Sequence, residues 1–228
     1  MKRIKSMILK AAILTLVLLP FLASAQSSEL GNWLIYIGNK KINSKWNLHH
    51  EVQYRNYDAI GDLEQLLLRT GIGYNLGRDG NNNLLLGYGF ILSSNYINDN
   101  REDKVDINEH RIFQQFITRQ KFNRFSLQHR YRLEERFIED QDARLRFRYF
   151  LGVNYALTTN TEKKPFWYLS AYNEIFLNLT ETPFDRNRSY FALGAKINKG
   201  LKLELGYMNQ FFAGAGRDQI NVLALVNF

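Results

Sequence analysis

From residue 45 to the end of the chain, apolar and polar side chains alternate with a period of two, broken only by short polar turns. Successive side chains of a β-strand point to opposite faces, so this spacing predicts strands with one apolar and one polar face. Between Trp46 and Arg55 the residues Trp46, Leu48, His50, Val52 and Tyr54 share one face, and Asn47, His49, Glu51, Gln53 and Arg55 the other. From Phe125 to Phe137, the face of Phe125, Leu127, His129, Tyr131 and Leu133 opposes Ser126, Gln128, Arg130, Arg132, Glu134 and Arg136. In the next run, Leu145, Phe147, Tyr149, Leu151 and Val153 oppose Arg144, Arg146, Arg148, Gly152 and Asn154. Similar runs lie near 64–75, 84–94, 108–120, 166–178, 189–198, 201–212 and 219–228. Within 108–120, Ile112, Phe113, Phe116 and Ile117 fit neither face cleanly, which predicts a bulge. Gly77-Arg78-Asp79-Gly80, Asn198-Lys199-Gly200 and Gly214-Ala215-Gly216 read as turns. An aromatic content of 14% with only three prolines suits such an all-β chain.

The first residues have a different pattern. Lys2, Arg3, Lys5 and Lys10 precede an apolar stretch from Ala11 to Leu22, and Ala23-Ser24-Ala25 follows. This is the layout of a secretory signal peptide over residues 1–25, cleaved before Gln26. A spanning anchor needs about 20 apolar residues, and this run is shorter, with Pro20 near its end. Cleavage lowers the formal net charge from +8 to +4, because four basic residues and no acid leave. An exported chain with so modest a positive balance has no call for nucleic acid. Cysteine is absent, which excludes a lipidated N-terminal cysteine and any disulfide.

Alternation alone does not say which face is inside. Several runs reach the roughly 9–11 residues that a tilted strand needs to cross a bilayer. Tyr, Phe and Trp gather near strand ends, and the polar face carries Arg, Glu, Gln and Gly. The sequence therefore predicts a transmembrane antiparallel up-and-down β-barrel over residues 45–228, of about 10 strands, with 12 as the alternative. Residues 26–44 then lie in the lumen or at the periplasmic rim. Counting back from the final strand places the loops 95–107, 138–142, 179–188 and 213–218 outside, and the connections near 76–83, 121–124, 156–165 and 199–200 in the periplasm.

The last strand alternates Ile220, Val222, Ala224, Val226 and Phe228 up to the terminal residue. It resembles the C-terminal signal read by the outer-membrane barrel-assembly machinery. Further motifs are Trp33, the Trp46-x-Leu48 strand, Gly87-Tyr88-Gly89, Glu109-His110-Arg111, Tyr172-Asn173-Glu174 and Arg186-Asn187-Arg188. With that ending they resemble the exported outer-membrane proteins grouped as domain-of-unknown-function family 2490. The resemblance spans nearly the whole mature chain; it implies a barrel in the bacterial outer membrane and carries no activity with it.

The polar face holds an arginine concentration: Arg130, Arg132, Arg136, Arg144, Arg146 and Arg148 come from two adjacent strands, with Glu134 as the one acid between them. Glu51, Glu109, Glu174 and Glu204 are the acids that could reach this wall from other strands. Two readings follow: a narrow pore biased toward small anionic solutes, or a barrel plugged by ion pairs. A closed barrel with a structural or surface-interaction role is the alternative to conduction.

Catalysis would need a nucleophile, a base and a group to orient the base. The histidines are His49, His50, His110 and His129, and no His-x-Ser occurs. Ser126 and His129 are three apart, hence on opposite faces, while His49 and Glu51 share the polar face. A lipid hydrolase or acyltransferase is thus a remote alternative, and no enzyme activity is expected. No metal or cofactor is expected either, since the acidic loop 99–106 lacks calcium-loop spacing. The expected partners are outer-membrane lipid and the export and barrel-assembly machinery.

Overall fold

The computed structural model describes residues 30–228, apart from residues 60, 78, 99 and 159–164. The signal-cleavage residues Ala23, Ala25 and Gln26 lie outside the described residues. Among the described residues eleven strands make up the fold: β1 (Gly31–Lys41), β2 (Trp46–Asn56), β3 (Leu63–Leu76), β4 (Asn82–Tyr96), β5 (Lys104–Phe122), β6 (Phe125–Ile138), β7 (Arg144–Ala156), β8 (Phe166–Asn178), β9 (Phe184–Lys196), β10 (Leu201–Phe212) and β11 (Ala215–Asn227). Each pairs antiparallel with the next, and β1 closes the barrel on β11.

That closing pair is parallel, running from Gly31 opposite Gln219 to Asn39 opposite Asn227. Eleven strands replace the expected ten or twelve, and residues 31–41 are a wall strand instead of a lumen or rim segment. The reason is visible in the side chains. Trp33 and Ile35 point inward against Tyr190, Ala192, Met208 and Leu223, which form an apolar sector of the lumen. Leu34 points outward. With apolar residues on both faces, β1 carries no period-two signal.

Elsewhere the faces follow the alternation, and the polar face is inside. Leu34, Val52, Leu68, Leu86, Ile112, Tyr131, Leu145, Trp167, Phe191, Leu205 and Val222 are exposed on the outer surface, one from each strand. Inside, Arg, Glu, Gln and Asn side chains are buried. Ile220, Val222, Ala224 and Val226 of β11 belong to the outer face, while Gln219, Asn221 and Leu223 are buried inside.

No bulge interrupts β5, whose register with β4 and β6 is continuous. Phe113 turns inward among polar neighbours because Gly87 faces it on β4; a Cβ there would come within 2.3 Å of its ring. Register shifts occur instead at Arg55/Asn56 and at Phe176/Leu177.

One end of the barrel, the loop end, carries the connections 57–62, 97–103, 139–143, 179–183 and 213–214. The other carries 42–45, 77–81, 123–124, 157–165 and 197–200, together with the last residue. The expected loops 95–107 and 179–188 are shorter, since β5 begins at Lys104 and β9 at Phe184. At the loop end Asp62 accepts from the Lys104 ammonium and, at 2.6 Å, from the Tyr96 hydroxyl, tying two connections together. Burial alone would raise the Asp62 carboxyl, but these two donors outweigh it and hold it below the ordinary 3.8.

Candidate functional site

Antiparallel pairing of β6 with β7 sets Arg132 opposite Arg148 and Glu134 opposite Arg146. Four charged side chains therefore meet on one inner wall, and Glu134 becomes their shared acceptor. It takes hydrogen bonds from Arg146 Nη2 (2.6 Å), Arg148 Nη1 (2.6 Å) and, more weakly, Arg132 Nη1 (3.4 Å). Arg148 turns its other side to Glu174 on β8 (2.7 Å), which also receives Arg130 (2.7 Å). Arg136 and Arg111 both donate to Glu109, each at 2.6 Å from Nε.

Three residues of the expected set lie elsewhere. Arg144 pairs with Glu181 at 2.6 Å on the loop-end rim, each more than a third exposed. Glu204 meets no arginine; it accepts from Tyr168 (2.8 Å) and Tyr190 (3.2 Å), nearer the opposite end. Glu51 is inward but serves Arg69 at 2.6 Å on β3, away from the β6–β7 wall.

Sequence reasoning missed the other half of the cluster. Arg55, Arg69, Arg111, Arg186 and Arg188 also face the lumen, and Asp185 bridges Arg146 (2.8 Å) and Arg186 (3.1 Å). The alternation put Arg55 on the polar face, so its parity was legible; Arg186 and Arg188 sat in a stretch that read as a loop. Among the described residues, the loop-end half of the lumen gathers ten arginines against five carboxylates, namely Glu51, Glu109, Glu134, Glu174 and Asp185. That is a surplus of five positive charges.

Eight of these arginines line a cavity of about 190 Å³ whose mouth is at the loop end, beside Asn95, Ile138 and Gln141. Glu109 is the one acid in its lining. Arg55 and Arg188 differ from the rest in forming no ion pair among the described residues. Arg55 donates to the amide oxygens of Gln53 and Gln65, and its guanidinium lies 3.6 Å from the Trp33 ring centre. Arg188 donates through Nε to Gln210 at 2.7 Å and stands over Phe176 (4.6 Å) and Trp33 (5.0 Å).

A line of contacts runs along the inner wall from β5 to β9 and then over to β1 and β2. Arg132 lies over Phe113 and joins Glu134, which holds Arg148. Arg148 lies over Phe176, Arg188 joins Phe176 to Trp33, and Arg55 covers Trp33 from β2. Every strand sends in at least one residue no more than 5% exposed, such as Ile91, Phe113, Glu134, Tyr190, Met208 and Gln219. Phe150 adds to the filling: it packs at a tilt against Tyr172 (ring centres 4.8 Å apart) with Arg130 above it.

The histidines do not converge. His50, His110 and His129 are on the outer face, bonded to Tyr36 (2.8 Å), Tyr88 (2.5 Å) and Tyr149 (2.9 Å) respectively. His49 Nε2 is inside, 3.4 Å from Glu51 Oε2, a carboxylate already engaged by Arg69 and Gln53. Ser126 and His129 fall on opposite faces.

No curated protein and no solved structure matches this chain. The family described as a protein of unknown function (DUF2490) matches residues 30–221. The chain belongs to that family, whose barrel here encloses a half-neutralised arginine cluster.

Proposed function

We propose that this protein is a bacterial outer-membrane barrel that does not conduct. Its lumen is closed by its own side chains, and its loop-end vestibule holds an anion at the outer surface. The observation that carries the reading is the burial of inward side chains from every strand: each sends in at least one that is no more than 5% exposed, among them Ile91, Phe113, Glu134, Met208 and Gln219, and Arg188 of β9 reaches Trp33 of β1. A channel needs a continuous wet path, and a lumen filled by buried, ion-paired side chains offers none.

The exposed apolar belt supports the membrane placement, because a surface of this kind on every strand is stable only against hydrocarbon. Strands of 11 to 19 residues are long enough to cross a bilayer. With the C-terminal end in the periplasm, the loop end and the vestibule face outward. No catalytic role is assigned: the four histidines stand apart, three of them bonded to tyrosines on the outer surface and the fourth beside Glu51.

Vesicle insertion tests the placement. The protein is expected to fold into phospholipid vesicles as a β-rich, heat-modifiable species whose strands resist added protease. A chain that remains soluble without lipid or detergent, with its belt accessible to protease, would refute it.

A further inference from the structure

We propose that the vestibule binds a phosphoryl group carrying at least two negative charges, with Arg55 and Arg188 as the residues that hold it. This rests on the reading of the lumen as closed beneath the cavity.

Ten buried or half-buried guanidinium groups share five carboxylates. A buried charge is costly unless it is paired, so the folded cluster calls for counter-charge from outside the chain. Arginine stays protonated in proteins, so it does not escape the cost by losing its proton.

The two unpaired arginines say where that charge goes. Eight of the ten already touch a carboxylate. Arg188 spends one N–H on Gln210, and among the described residues its two terminal nitrogens meet no protein acceptor. Arg55 meets only neutral amide oxygens. An anion at Arg188 displaces no existing partner, and at Arg55 it competes only with neutral amides.

Both guanidinium groups are also held in place. Trp33 backs Arg55, while Phe176 and Trp33 back Arg188. Stacking on a ring fixes the plane of the fork, and a fixed fork offers parallel N–H donors to two oxygens of one group. A tetrahedral oxyanion presents that pair of oxygens, and a chloride ion does not. The cavity of about 190 Å³ equals the share of roughly six waters in the liquid, which fits a phosphate or diphosphate and excludes an acyl chain. Its lining is mostly polar, so charge rather than apolar contact selects the ligand.

Calorimetry on the protein in an uncharged detergent tests this with sodium pyrophosphate, orthophosphate and chloride. A second arm uses micelles doped with phosphatidic acid, whose headgroup is a phosphomonoester. Pyrophosphate is expected to bind more tightly than orthophosphate, and chloride least. Arg188→Gln and Arg55→Gln should each weaken pyrophosphate by about 10- to 100-fold, the span for losing one charge-assisted contact. Arg188→Lys keeps the charge, loses the fork and should fall between. Arg144→Gln on the rim should change nothing. Capture of phosphatidic acid without soluble phosphate would support the site and name the lipid headgroup as its source; capture of the soluble anions would name a free solute. A folded wild-type protein that binds none of these, binds chloride as well as pyrophosphate, or is indifferent to Arg188→Gln would overturn the site. Such a failure leaves the closed-lumen reading intact if the protein still blocks ion flow; conduction would overturn that reading whatever the binding.

Discussion

Glu134→Gln changes the side chain's shape very little and removes the charge around which the β6–β7 wall is built. Glu134 is fully buried and accepts two short bonds at 2.6 Å, a third at 3.0 Å and a fourth at 3.4 Å from three arginines. The amide can still accept on one atom, but its NH₂ group points donors at guanidinium donors. Breaking a buried ion pair by altering one partner costs about 3–5 kcal/mol, because the other charge stays buried without compensation. Three arginines are stranded here, which argues for more. Each keeps a second partner, however: Arg148 has Glu174, Arg146 has Asp185 and Arg132 has Gln115. The expected loss is therefore about 3–5 kcal/mol. Arg144→Gln, which breaks the half-exposed pair with Glu181, should cost about 0–1 kcal/mol. Urea unfolding in detergent, followed by tryptophan fluorescence, measures both. A Glu134→Gln protein within about 0.5 kcal/mol of wild type would refute the claim that the lattice holds the lumen closed.

Other consequences follow from separate parts of the barrel. Gln219 is fully buried, and among the described residues neither of its amide atoms has a partner, so Gln219→Met should be neutral or stabilising by about 1–3 kcal/mol in the same urea assay. Because the folded Asp62 carboxyl is held below its ordinary 3.8, its bridge to Lys104 stabilises fully above that value and is lost as pH falls through the lowered one; amide exchange at Ile97, which bonds to Asp103 in the adjoining connection, should quicken only at that acid end. An odd number of strands leaves residue 30 and residue 228 at opposite ends. An impermeant maleimide on whole cells should then label Leu30→Cys and spare Lys199→Cys, whereas an even-stranded barrel would shield both.

Much of this architecture was legible in the sequence, because a strand's period of two is a local property. Parity alone assigned Glu51, Arg132, Glu134, Arg146, Arg148 and Glu174 to one face, and the structure puts each of them inside. Strand number was not legible. β1 packs Trp33 and Ile35 against an apolar sector of the lumen and sends Leu34 outward, so neither face of it is polar. Partner choice was not legible either, since it depends on height within the barrel and on strands far apart in the chain. Glu204 has the right parity, yet its height brings it to Tyr168 and Tyr190 instead of an arginine. Arg186 and Arg188 were missed for a compositional reason: Asp185-Arg186-Asn187-Arg188 has the polarity of a loop, and only an interior this rich in charge lets such a segment begin a strand.

The closed lumen is tested most directly by single-channel recording in a planar bilayer with asymmetric KCl. A closed lumen gives a protein that inserts, remains heat-modifiable and passes no steady current. Reproducible steps with a reversal potential set by chloride would contradict it, and would mean that a wet path passes the layer of Phe113, Glu134, Arg148, Phe176 and Trp33.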